Sequence, residues 1–249
     1  MPADRTSPTS PSTGGRLVYA VGDVHGYASA LAALLARIEA DAARSRPAER
    51  PLLIFVGDYV DRGPDSRGVI DAVIAAEGWD AFEVVALKGN HEDALARFLV
   101  EPAYAPAWIG GWGEATLVSY GLDPPNPYDQ EACERTQARF GEVFPPAHRA
   151  FLERLRFAVT VGDYLFVHAG VRPGVALDAQ DERDLIWIRH EFLMSDQDFG
   201  KVVVHGHTPS ERPELKANRI NIDTGVYLTG VLTAVRLEGE TQRLIQARA

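Results

Sequence analysis

Five short apolar runs in this chain each give way to glycine and to side chains of types that can ligate metals. The five motifs are Gly22-Asp23-Val24-His25-Gly26, Gly57-Asp58-Tyr59-Val60-Asp61-Arg62-Gly63, Gly89-Asn90-His91-Glu92, Val167-His168-Ala169-Gly170 and His205-Gly206-His207-Thr208. The runs at 17–21, 52–56, 82–87, 164–167 and 201–204 are rich in Val, Leu, Ile and aromatics and read as strands. In open sheets with helical crossovers, functional loops gather beyond the strands' carboxyl ends, because the sheet fixes the loop bases and leaves the tips free. A chain built this way can aim carboxylates, an amide oxygen and imidazoles at one small volume, and that mixed donor set suits divalent metals.

Helical patterns fill the gaps between these runs. Leu31, Leu34, Leu35 and Ile38 recur at helical spacing after Gly26. A second helix starts near Asp65 or Ser66, either of which can cap free amides, and carries Val69, Ile70, Val73 and Ile74. Further helices are predicted over 92–100 and 147–156. Strands alternating with helices give an α/β fold, with strand order and the number of sheets left open.

The chain of 249 residues is 46% hydrophobic, enough for a substantial core. Ligand-type residues spread from Asp23 to His207 must converge, so residues 16–249 are expected to form a single domain. Residues 1–15, rich in Pro, Ser, Thr and Gly, are expected to be a flexible tail. No signal-peptide core or apolar stretch of membrane-spanning length is present. The single cysteine, Cys133, excludes an internal disulfide and suits a reducing cytoplasm. A formal charge of −10 argues against a stable nucleic-acid partner, yet local metal ions and arginines can still favour a phosphorylated substrate.

Taken singly, Asp23, Asp58 and Asp61 also suit turns or helix caps, and a lone histidine is commonly structural. The ordered series of five motifs is specific. It resembles the phosphoprotein phosphatase family of calcineurin-like metallophosphoesterases, in particular its short bacterial serine/threonine members, from about Arg16 to near Gly230. The resemblance implies the calcineurin-like fold, a sandwich of two β-sheets flanked by helices (αββα). It implies that Asp23 and His25 hold a first metal, that Asp58 bridges two ions, and that Asn90, His168 and His207 hold the second. Two divalent ions are expected, Mn2+ first, with Fe or Zn as alternatives, and they would activate a water for attack on phosphorus.

By the same resemblance His91 protonates the leaving oxygen, Asp61 supports it, and Arg62 contacts phosphate. Arg189, in Leu185-Ile186-Trp187-Ile188-Arg189, is either a second phosphate contact or a surface ion pair. Tyr227 either approaches substrate or packs. His205 is read as an outer-shell or structural residue, and Asp223 as support for the site. The segment 101–146 departs most from the family. Its Trp108, Gly110, Gly111, Trp112 and Gly113, followed by Pro124, Pro125 and Pro127, suit either a substrate-selecting lid or a packed excursion. The expected activity is phosphoprotein phosphatase, acting on a phosphorylated protein or peptide. The alternatives are a symmetrical diadenosine tetraphosphatase or another small-phosphoester hydrolase, and a catalytically silent phosphate-binding module.

Overall fold

The structure is a computed structural model that describes residues 10–249. Strands β1 (Val18–Val21), β2 (Leu52–Phe55) and β3 (Glu83–Ala86) pair in parallel. Every residue of β1 and β2 is buried, as expected of parallel strands covered on both faces. Helices α1 (Ala28–Ser45) and α2 (Ser66–Glu77) are the crossovers between them. α1 buries Leu31, Leu34, Leu35 and Ile38, and α2 begins where Asp65 accepts a hydrogen bond from the Gly68 amide at 2.8 Å.

Helices α3 (Asn90–Val100), α4 (Ala105–Trp108), α5 (Glu114–Ser119), α6 (Gln130–Val143) and α7 (Pro146–Arg154) follow β3. The second sheet has the order β4-β5-β6-β8-β7, from β4 (Ala158–Val161), β5 (Tyr164–Val167), β6 (Val202–His205), β7 (Glu214–Leu215) and β8 (Arg219–Asn221). Within it β5, β6 and β8 are parallel, and α8 (Glu182–Trp187) lies in the β5–β6 crossover. The hairpin β9 (Val231–Glu238) and β10 (Thr241–Arg248) joins the first sheet beside β1, giving β10-β9-β1-β2-β3.

The two-residue period of each strand sorts its side chains between layers. Val18, Ala20, Ile54 and Val56 meet Phe166, Val204, Ile220 and Ile222 between the sheets, whereas Tyr19, Val21, Leu53 and Phe55 face the helices. On the far side, Leu165, Val167 and Val203 pack on Leu185 and Phe192. The result is the two-sheet sandwich flanked by helices that the motifs implied. Truncating fully buried Phe166 to alanine would cost about 3–5 kcal/mol, because both sheets lose contacts there.

Several boundaries differ from the sequence reading for physical reasons. α7 stops at Arg154 because Arg156 is drawn to the β3 edge: its amide donates to Ala86 O at 3.1 Å, and Lys88 N donates to Arg156 O at 2.7 Å. α3 starts two residues early, which puts Asn90 and His91 in its first turn. The tail expectation fails for its described end. Asp163 N donates to Ser12 O at 2.8 Å, Thr13 N donates to Gly239 O at 3.3 Å, and Thr13 is buried. Residues 1–9 of that expected tail lie outside the described residues. Segment 101–146 is mostly helical, and its Trp108, Ile109, Leu117, Phe140 and Phe144 belong to the main core, so this part is a packed excursion.

Candidate metal centre

Parallel pairing sends the carboxyl ends of β1, β2 and β3, and of β5, β6 and β8, to one edge of each sheet. The loops beyond those ends bring Asp23, His25, Asp58, Asn90, His91, His168 and His207 together, each nearly or wholly buried. Two groups have ligand atoms within 4.8 Å of one another: His25, Asp58 and His91, and Asp58, His168 and His207. Asp58 belongs to both, the position expected of a bridging carboxylate.

The backbone is unusual at this place. Non-glycine residues with positive φ include His25 (44°), Asp58 (53°), Asp61 (70°), Arg62 (69°) and His207 (65°). Each left-handed residue costs about 1–3 kcal/mol, which the packed loops must offset. Close approach adds a constraint, because a Cβ on Gly206 would lie 1.9 Å from Asp23 Oδ1.

The hydrogen bonds show what the cluster fits. His168 Nδ1 lies 3.0 Å from the Val56 carbonyl, and His25 Nδ1 lies 2.9 Å from the Val60 carbonyl. Each Nδ1–H therefore donates to the backbone and leaves a bare Nε2 lone pair. His168 Nε2 then faces Asn90 Oδ1 at 3.0 Å and Asp58 Oδ1 at 3.3 Å, and His25 Nε2 faces Asp58 Oδ2 at 3.5 Å. Acceptors confront acceptors. Buried Asp23 Oδ1 has no partner among the described residues. Divalent cations resolve both anomalies, so the residues present fit such ions. Burial raises Asp23 and Asp58 well above the usual carboxylate range and holds His25 and His168 well below the usual imidazole range.

His91 projects differently. Its Nδ1 lies 2.6 Å from Asp61 Oδ2, and its Nε2 stands 3.8 Å from Asp58 Oδ2. Burial and the charges of Arg62 and Arg189 push His91 down, while the Asp61 carboxylate supports the imidazolium. Asp61 itself rises to about 6, chiefly through burial, opposed by hydrogen bonds from Thr116 and Trp108. Thr116 Oγ1 donates to Asp61 Oδ1 at 2.6 Å, and Trp108 Nε1 donates to Oδ2 at 3.0 Å. A π turn at Ile109–Gly113 separates these two residues. A regular helix would leave positions eight apart rotated by about 80°; the wider π turn removes most of that offset, so both side chains reach Asp61.

Sequence reasoning missed Thr116 and the hydrogen-bonding role of Trp108. It also gave no role to Glu92, which is fully buried. This carboxylate accepts from the amides of Asp58 (2.9 Å), Tyr59 (2.8 Å) and Gly89 (2.9 Å), and so ties the Asp58 loop to the start of α3. Its spacing three residues after Gly89, at the N3 position, was the available signal.

The rim carries the other predicted residues. Arg62 is exposed, with its guanidinium carbon 4.2 Å from the centroid of Tyr227. Tyr227 also meets His25 at 5.2 Å, so it packs against both a candidate ligand and the arginine. Arg189 donates to Thr208 Oγ1 at 3.2 Å, and its charge helps to lower His168 and His207. No carboxylate lies within ion-pair distance of it among the described residues. Trp112 lies 4.5 Å from the His91 ring, and Trp187 lies 6.2 Å from His207. His205 points elsewhere: its Nε2 is 3.4 Å from Arg219, its ring is 5.0 Å from Phe192, and burial lowers it to about 3. Asp223 accepts from Gly225 N at 2.8 Å beside the cluster and is raised to about 6, mainly by burial.

Residues 17–229 match the family described as calcineurin-like phosphoesterase. A bis(5'-nucleosyl)-tetraphosphatase PrpE [asymmetrical] from Anoxybacillus flavithermus is 29% identical over 199 residues, covering 74% of each chain. Among solved structures, a putative diadenosine tetraphosphatase superposes with a TM-score of 0.63 at 19% identity, covering 96% of this chain and 99% of the other. A mutant cold-active protein tyrosine phosphatase gives 0.58 at 19% identity, covering 93% and 80%. The two structural likenesses bear on fold alone. With most of its length matched and the candidate metal-ligating motifs gathered beyond the strand ends, this chain belongs to the calcineurin-like phosphoesterases, hydrolases that use divalent metal ions.

Proposed function

We propose that this enzyme hydrolyses dinucleoside tetraphosphates unequally, releasing a nucleoside triphosphate and a nucleoside monophosphate. The observation that carries this reading is the aromatic rim. Half-exposed Trp112, Trp187 and Tyr227 flank His91, His207 and His25 respectively. A bare phosphate gains little from aromatic rings, whereas a base stacked on one contributes about 1–3 kcal/mol. The A. flavithermus relative, an asymmetrical bis(5'-nucleosyl)-tetraphosphatase, supports the same substrate and the asymmetrical reaction, unlike the symmetrical alternative drawn from the motifs.

Arg62 and Arg189 would hold phosphate oxygens, with the Arg62 guanidinium resting on the Tyr227 ring. Asp61 fixes the His91 ring through Nδ1 and leaves Nε2 toward the cleft, where it can protonate the leaving oxygen. When bound to Asp23, His25, Asp58, Asn90, His168 and His207, two divalent ions would supply Lewis acidity and a water acidic enough to attack at neutral pH. The mixed nitrogen and oxygen donors support Mn2+ as the working ion, with Fe or Zn as competitors. A lone, buried Cys133 supports a reducing cytoplasm, and the −10 charge supports the absence of a stable nucleic-acid partner.

A second reading, phosphoprotein phosphatase, is favoured by the exposure of Arg62 at the cleft mouth, where a phosphorylated side chain on a large partner can reach it. The two differ in leaving group. A phosphate leaves an anhydride readily, whereas a serine alkoxide needs a proton, so His91 matters more for the phosphopeptide. Chromatography of products from diadenosine tetraphosphate and a phosphopeptide panel separates them. ATP with AMP supports the first reading; two ADP, or inorganic phosphate from the peptides alone, overturns it.

A further inference from the structure

Trp187 has a second neighbour besides the metal centre. It is part of the wall of a cavity of about 350 Å³ between α3, the chain at Tyr104 and Phe157, and the start of α8. That volume lies in the range of small-ligand sites. Trp187 is shared between the two places: besides lining the cavity, its ring lies 6.2 Å from His207 and 6.3 Å from Trp112, which itself lies 4.5 Å from His91.

The lining is unlike the cleft. Tyr104, Phe157 and Trp187 offer aromatic surface, and Arg97 lies 5.5 Å from the Tyr104 centroid. Asp93 is already paired with Lys88 at 3.2 Å and with Arg97 at 3.4 Å. Glu182 and Arg183, both exposed, offer a hydrogen-bond acceptor and a donor at the same wall. With Asp181 the wall carries three carboxylates against the guanidinium groups of Arg97 and Arg183, which disfavours a phosphate chain; Arg62 and Arg189 serve one better. The same wall suits a flat heteroaromatic ring that stacks, donates from an exocyclic amine to a carboxylate and accepts at a ring nitrogen.

We propose that this cavity is a nucleobase subsite, taking an amino-bearing base of the substrate. The assignment rests on the dinucleoside reading of the metal centre, but its first test does not. Adenosine, which carries no phosphate, is titrated into full-length protein stripped of metal, with saturation-transfer NMR as the readout and ribose 5-phosphate as competitor. Adenosine is expected to bind in the millimolar range and to resist competition. Tyr104→Ala is expected to weaken it at least tenfold, and the exposed change Glu182→Gln to weaken it several-fold. Wild-type affinity in both variants, or displacement by ribose 5-phosphate, would overturn the proposal.

Turnover then separates the two claims. With metal restored, the ratio of kcat/KM for diadenosine tetraphosphate to that for inorganic tetraphosphate should fall at least tenfold in Tyr104→Ala, with the loss in KM. An unchanged ratio overturns the subsite. Adenosine binding that is lost in Tyr104→Ala, without any dinucleotide cleavage by wild type, supports base binding by the cavity and overturns the substrate reading instead.

Discussion

The strand-end loops and the helical excursion at 101–146 meet at the same cleft and contribute different things. The loops carry every candidate ligand, several on left-handed residues that only a well-packed sheet edge can hold. The excursion carries none of those ligands. It supplies Trp108 and Thr116 to the Asp61 carboxylate and lays Trp112 on His91. The candidate ligands thus share the loops with Asp61 and His91, while the groups that hold Asp61 come from the excursion, and mutations should separate the two contributions.

The largest effect is expected where the two ligand groups join. Asp58→Asn should lower metal content, measured by elemental analysis, and reduce turnover about a thousandfold or more. His91→Asn should keep both metals and lower kcat by about 10²–10⁴, with the larger losses on substrates with poor leaving groups. If it strips the metals instead, His91 belongs with the ligands of the His25 and Asp58 group and not with the acid. Thr116→Val removes one hydroxyl from the excursion's side. It should lower kcat about tenfold and stability by about 1–3 kcal/mol, with Thr116→Ser restoring most of both. In a His91→Asn background the same change should add little to the loss in kcat, because Thr116 acts through Asp61 and His91.

The smallest effect belongs to an ion pair outside both regions. Burial alone would raise the Asp41 carboxyl, but the Tyr19 hydroxyl and Arg236, each 2.7 Å from Oδ2, hold it below its ordinary value. Its stabilisation is therefore in place above the unfolded carboxylate pKa, about 3.9, and is lost as pH falls through the depressed folded value. Urea midpoints should show wild type losing its advantage over Asp41→Asn on acidification below pH 4, with turnover at pH 7 unaffected. An advantage independent of pH would contradict the ion-pair reading.

The candidate ligands stood out because each motif closes an apolar run, so a local pattern marks both a strand and its donor groups, and the structure brings those side chains together. The expected roles of Asp61 and Arg62 came from the family resemblance and not from the pattern of apolar runs. Thr116 was not legible, because its meaning lies in a contact 55 residues away in sequence, with Asp61, and depends on a π turn that leaves no periodic signal. The hairpin of β9 and β10 went unread although Gly239-Glu240 marks its turn: six consecutive buried residues in β9 hide the two-residue alternation. The choice between lid and packed excursion turned on the depth of Trp108, which composition cannot give. Its ring lies so close to Gly113 that a Cβ there would meet Trp108 Cε2 at 2.5 Å.

The most direct measurement is a calorimetric titration of metal-stripped protein with Mn2+, with cleavage of diadenosine tetraphosphate followed on the same samples. Two equivalents should bind per chain, with activity rising chiefly with the second and yielding ATP and AMP. Saturation and full activity at one equivalent, or cleavage by the stripped protein, would contradict a centre of two ions sharing Asp58.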